Sequence, residues 1–183
     1  WSSDVCSSDL INTFANPNMS NNMFIALNNS IFFPDTTGIA SGVIGFGGSA
    51  AANRFIHNFG TGGGADNNTF VGLSAGNFTL TGTNSVGVGA SALSSLTSGS
   101  NNTALGVTAG LNLDAGNSNT IVGTLAGSSL TSGSFNAIVG VNAGLSMTTA
   151  NNNTFIGHFA GFNATSSNNV AVGENALASA TTA

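Results

Sequence analysis

The stretch Asn119-Thr120-Ile121-Val122-Gly123-Thr124-Leu125-Ala126-Gly127 returns seventeen residues later as Asn136-Ala137-Ile138-Val139-Gly140-Val141-Asn142-Ala143-Gly144. Working outward from this pair, an anchor glycine recurs at Gly72, Gly89, Gly106, Gly123, Gly140, Gly157 and Gly173, at spacings of 17 and, in the last step, 16. Alanine stands three residues after every anchor, at Ala75, Ala92, Ala109, Ala126, Ala143, Ala160 and Ala176. An aliphatic residue precedes each anchor: Val71, Val88, Leu105, Val122, Val139, Ile156 and Val172. Four residues before it comes Asn68, Ser85, Asn102, Asn119, Asn136, Asn153 or Asn169, and ten after it a further glycine at Gly82, Gly99, Gly116 and Gly133. Self-similarity at a fixed short period is the signature of a stacked-repeat architecture.

The period could belong to helices or to strands, and composition decides. Helical repeats need strong helix formers and few glycines, whereas these units are rich in Gly, Asn, Ser and Thr with only short β-branched runs. One unit is too small to bury its own apolar residues, so the units must stack to make a continuous core. The expected fold is all-β, a parallel β-solenoid of about seven 17-residue coils. At the usual strand spacing, seven coils make a rod of roughly 33 Å. Identical residues then lie above one another, and the asparagines are placed to form a ladder of side-chain amide hydrogen bonds.

Stacking also explains the charge content, which is only 4% of the residues. A charge at a fixed repeat position would face its own copy in the next coil, and like charges directly opposite each other destabilise a sheet. Asp66, Asp114 and Glu174 obey this, lying six before, eight after and one after their anchors. With Arg54 as the single cation, phosphate neutralisation has no basis and nucleic-acid binding is excluded as a function class. No stretch of the sequence is apolar for long enough to span a membrane as a helix.

Three segments are expected. Trp1–Leu10 reads WSSDVCSSDL, which resembles the translation of a sequencing-library adapter, and is set aside as artefactual. With it go the single Trp, the single Cys (Cys6), Asp4 and Asp9, so the formal net charge of −5 becomes −3. Residues 11–67 lack the period and form an irregular N-terminal capping region. Within it Arg54-Phe55-Ile56-His57-Asn58-Phe59-Gly60 echoes the repeat with His57 in the glycine slot, as a degenerate first coil would. Residues 68–183 carry the repeat and stop partway through a unit, as expected of an internal fragment of a longer reading frame.

Residues that could carry chemistry are few. His57 and His158 are 101 residues apart, which is no multiple of the period, so they share no column. No His, Cys and carboxylate spacing supports a nucleophile or a metal site, and no paired carboxylates support glycoside hydrolysis. Gly87-Val88-Gly89-Ala90-Ser91-Ala92 matches a loose G-x-G-x-x-A pattern but opens no helix. Gly62-Gly63-Gly64-Ala65-Asp66 has the wrong spacing for a calcium-binding repeat. No enzyme activity, cofactor or metal is expected.

The units Asn68-Thr69-Phe70-Val71-Gly72 and their recurrences as N-T-(A/I/F)-(V/I)-G-x-x-A-G resemble repeat regions of phage tail fibres and bacterial surface proteins. They are also similar to the head repeats of trimeric autotransporter adhesins, in which N-S-x-A-I-G units build a left-handed parallel β-roll. The added length here falls in loops such as Thr97-Ser98-Gly99-Ser100 and Thr131-Ser132-Gly133-Ser134. The resemblance implies a left-handed, homotrimeric, extracellular segment on a bacterial surface or virion, serving attachment to a surface receptor or glycan. An ice-binding solenoid is the competing class, because Thr69, Thr103, Thr120 and Thr154 share one column.

Strand alternation leaves one choice of face. Taking the invariant aliphatic before each anchor as inward, Val122→Asp is expected to abolish folding, with Asn112→Asp nearly neutral. Phe70, Ile121, Ile138 and Phe155, two before their anchors, then form an outward stripe through which chains associate. A helix-free fold has a direct check. Far-UV circular dichroism of residues 11–183 should show a single β-type minimum, and a helical spectrum would remove the solenoid.

Overall fold

The computed structural model describes residues 67–179, together with the backbone of four short strands before them. Two compact units divide the chain at Ser41/Gly42. In the first, β1 (Phe24–Ala26) pairs antiparallel with β2 (Ser30–Phe32). The second holds β3 (Ile44–Gly45), β4 (Arg54–His57) and seven repeat strands: β5 (Thr69–Val71), β6 (Val86–Val88), β7 (Thr103–Leu105), β8 (Thr120–Val122), β9 (Ala137–Val139), β10 (Thr154–Ile156) and β11 (Val170–Val172). All nine form one sheet in sequence order. From β5 to β11 the strands run parallel, each residue pairing with its equivalent in the next coil, so the molecule is a β-solenoid. No helix occurs among the described residues.

The degenerate first coil is corrected. β4 pairs antiparallel with β5, placing Ile56 opposite Val71 and His57 opposite Phe70, so it runs against the stack instead of continuing it. A reversed strand cannot supply the parallel donor and acceptor pattern that a further coil would need. It therefore covers the leading edge of the array, where an open row of backbone groups would invite pairing with another chain.

Each strand has only three residues, and the rest of each coil is a succession of turns. Coil-to-coil hydrogen bonding nevertheless continues round the turns, as in Gly76 N to Ala92 O at 2.8 Å, Asn101 N to Thr83 O at 2.9 Å and Gly127 N to Ala143 O at 2.9 Å. The anchor glycine turns the chain out of the strand with φ between +119° and +141°. It also lies against the backbone of the coil above. A Cβ on Gly72 would meet the carbonyl carbon and oxygen of Gly89 at 2.7 Å, so both conformation and space demand glycine.

The inward register is the reverse of the expected one. Phe70, Ala104, Ile121, Ile138 and Phe155 are fully buried, whereas Leu105, Ile156 and Val172 are 49%, 42% and 65% exposed. A one-residue change of register moves every side chain to the other face. The column two before the anchor is core although its residues range from Gly87 to Phe70. The turns across the coil absorb that variation. Phe70 sits over Gly76, whose added Cβ would meet the ring at 2.5 Å, and Phe155 is likewise packed on Gly161. Where the strand residue shrinks to Gly87 or Ala171, the opposite position grows to Leu93 or Leu177. Ala104 faces Gly110, and that gap is closed from neighbouring coils, with Leu93 Cδ2 and Ile121 Cδ1 within 3.0 and 3.1 Å of where a Cβ would stand on Gly110. The alanines three after the anchor and Leu96, Leu113, Leu130 and Met147 complete the core.

The asparagine ladder forms as expected. Asn119 Nδ2 donates to Asn102 Oδ1 at 3.0 Å, Asn136 to Asn119 at 3.0 Å, Asn153 to Asn136 at 3.1 Å and Asn169 to Asn153 at 3.1 Å. The same Oδ1 atoms accept the backbone N–H of the next asparagine, and the Nδ2 groups of Asn102, Asn119 and Asn136 also donate across the coil to the carbonyls of Gly116, Gly133 and Ala150. Ser85 substitutes once, its hydroxyl accepting from Asn102 N at 3.2 Å.

Two stability measurements test this architecture. Ile121→Asp should abolish cooperative folding, since an unpaired buried carboxylate costs several kcal/mol, on the order of the whole stability of a domain. Val122→Asp on the outer face should leave the fold of the single chain intact, and equal damage from both would return the register to the opposite assignment. Asn119→Ala strips a buried amide from the backbone N–H of Asn136 and the carbonyl of Gly133, so denaturant titration should show a loss of about 3 kcal/mol. Asn119→Ser, which copies the natural Ser85, should cost roughly 1 kcal/mol.

Candidate functional site

The alternation that buries the middle residue of each strand turns its two neighbours outward. Every repeat strand has that pattern, exposed or half-buried on both flanks and buried between. One outer column is Thr69, Val86, Thr103, Thr120, Ala137, Thr154 and Val170, and the other is Val71, Val88, Leu105, Val122, Val139, Ile156 and Val172. Just beyond the anchor glycine, Leu73, Val107 and Val141 add exposed apolar side chains. Neither strand column contains a charged residue. The result is an uncharged sheet face of stacked Thr and Val/Leu/Ile, and the hydroxyls of Thr103, Thr120 and Thr154 make no hydrogen bond within the described chain. The proposed outward stripe of Phe70, Ile121, Ile138 and Phe155 is thereby corrected: those residues fill the core, and the outward apolar residues are the ones that had been assigned inward.

The sequence hid this because uniformity looks like a core. The outer column is Val, Leu or Ile in every coil, while the inner one varies widely in size. The pairs Phe70/Gly76 and Phe155/Gly161, a large residue facing glycine across the coil, are the signal in the sequence that identifies the inner column, since volume trades only between residues that touch.

Three further columns have left-handed backbone, one of them Gly76, Leu93, Gly110, Gly127, Gly144, Gly161 and Leu177, four after the anchor, with φ from 52° to 68°. Five before the anchor stand Asn67, Asn84, Asn101, Ser118, Phe135, Asn152 and Asn168, with φ from 44° to 66°. Two after it stand Ser74, Ser91, Thr108, Leu125, Asn142, Phe159 and Asn175, with φ from 55° to 59°. Asparagine tolerates this region through local hydrogen bonding, which accounts for its abundance, but Phe and Leu do not. Phe135 is nevertheless 63% exposed. Phe159 belongs to an aromatic corner: its ring centroid lies 5.1 Å from that of Phe162, edge on, and 4.1 Å from that of His158. His158 Nδ1 is 3.6 Å from Glu174 Oε1, directly above it in the next coil. This corner was not anticipated from the sequence, although aromatic residues in a column of Ser, Thr and Asn would have marked it.

The remaining polar groups are dispersed. Asp114 accepts a short hydrogen bond from the Thr97 hydroxyl of the coil below. No cluster of three His, Cys, Asp or Glu side chains able to hold a metal occurs among the described residues. No helix among them is long and apolar enough to cross a membrane. Comparison with protein-family models, curated proteins and solved structures finds no match to this chain.

Proposed function

We propose that this chain is a structural and adhesive segment of a surface or tail fibre, in which the outward Thr/Val face of the sheet is buried between copies of the chain, three to a fibre. The outward apolar column Val71, Val88, Leu105, Val122, Val139, Ile156 and Val172, exposed at Leu105, Ile156 and Val172 and half-buried at the other four, carries this reading. Burying apolar surface contributes roughly 25 cal/mol per Å², and no charge on the two strand columns opposes close approach of chains. Three-fold closure hides the face on every copy, whereas an open arrangement keeps growing. The resemblance to tail-fibre and autotransporter head repeats supports the same arrangement, and with it an extracellular location. A column that points outward in one chain and is uniformly β-branched or aliphatic is suited to packing against an identical column, because each coil presents a similar shape at the same height.

A second reading is favoured by one feature of the same face. The free hydroxyls of Thr69, Thr103, Thr120 and Thr154 share a column beside the apolar one, an array able to order water as an ice-binding surface does. The two readings differ in what covers the face.

Light scattering separates them. The full chain should associate, and fused to a trimeric foldon it should give a soluble trimer. Leu105→Asp with Val139→Asp, two coils apart so that the carboxylates do not stack, should release monomers that keep the β spectrum of the parent. A clean monomer at high concentration would sink the fibre reading, and thermal hysteresis from that monomer would establish the ice-binding one.

A further inference from the structure

We infer that the corner built by Phe159, Phe162, His158 and Glu174, flanked by Asn142 and Asn175, binds a neutral pyranose unit of a glycan. This inference rests on the attachment reading and supplies a chemical class for what is attached. Three observations carry it.

The first is that Phe159 is costly where it stands. Its φ is 56°, a region that bulky L side chains rarely adopt, and the coils on either side place Asn142 and Asn175 at the same position. Asparagine would satisfy the backbone there with less strain. Strained residues of this kind gather where a site needs the side chain they carry.

The second is the combination of groups. The rings of Phe159 and Phe162 are half-buried, so part of each stays open to solvent. The polarised C–H bonds of a pyranose face can pack on the electron-rich face of such a ring. Adjacent coils lie about 4.8 Å apart, which sets the amides of Asn142 and Asn175 one step below and one step above Phe159. Neither side-chain amide makes a hydrogen bond within the described chain, so both are free to pair with sugar hydroxyls. The Glu174 carboxylate is 71% exposed and can accept from a pair of vicinal hydroxyls.

The third is charge. No Lys or Arg lies among residues 67–179, and Glu174 borders the corner through His158. Uronic acids, sialic acids and phosphorylated sugars would meet a carboxylate with no permanent cation to offset it. A neutral sugar meets no such penalty.

Saturation-transfer NMR on the full chain with cellohexaose, chitohexaose and mannohexaose tests the site, with oligogalacturonate as the anionic comparison. At least one neutral oligosaccharide should bind saturably, and oligogalacturonate should not. Phe159→Asn, which restores the residue of the neighbouring coils, should weaken binding about tenfold while the thermal midpoint holds or rises. Glu174→Gln should weaken it severalfold with no change in melting. Failure of all three neutral sugars to bind, equal binding of oligogalacturonate, or undiminished binding by Phe159→Asn would each overturn the inference. If Phe159→Asn melts early, the ring pair braces the coil, and undiminished binding by Glu174→Gln then overturns it. The fibre reading would survive any of these failures, because it is read from the association state of the chain.

Discussion

Each coil of this solenoid is held by the same hydrogen bonds to the next, and the buried asparagine column is the part of that pattern that tolerates least displacement. One Oδ1 accepts from the side chain and the backbone of the coil above while its own Nδ2 donates downward and across the coil. A coil that slipped along its neighbour would strand several buried polar groups at once, each costing on the order of 1–3 kcal/mol. The core packs against this fixed register. Phe70 can pack over Gly87, and Leu93 can reach toward Gly110, only because the coils cannot slide.

That constraint explains the glycine columns as well. With coils locked at strand spacing, the backbone at the turn lies in van der Waals contact with the backbone above, which leaves no room for a Cβ. Gly82, Gly99 and Gly116 each sit beneath the carbonyl of the next glycine in their column. The column changes at Ala150, below the serine-rich turn of the next coil, the one that shortens from 17 to 16 residues. Close approach, not flexibility, is what the glycines serve.

The same locking makes the outer surface a set of straight columns, and function is best sought where one of those columns departs from its own pattern. An array of identical coils offers a partner either a repeated face or a single interruption. The Thr/Val face is the repeated feature and suits an identical neighbour. The aromatic corner at Phe159 is an interruption and suits a ligand of limited size. Glu174 above His158 is also an interruption, and it follows the rule that governs charge in such stacks, since the carboxylate meets an imidazole and not another carboxylate.

The parallel stack, the coil length, the glycine turns and the asparagine ladder are legible in the sequence alone, because each depends on a residue type recurring at one height in every coil. The sequence did not determine which side of the strand faces in. A three-residue strand offers a single inward side chain, so there is no run of alternation to read, and apolar residues occupy both faces. Ile121 and Val122 are equivalent by hydrophobicity, yet one is core and the other surface. What decides between them is the turn across the coil, where Gly76 and Gly161 leave the space that Phe70 and Phe155 fill. The direction of β4 was likewise settled only by the fold, because a strand that echoes the repeat in residue type carries nothing in its pattern to say which way it runs against the stack.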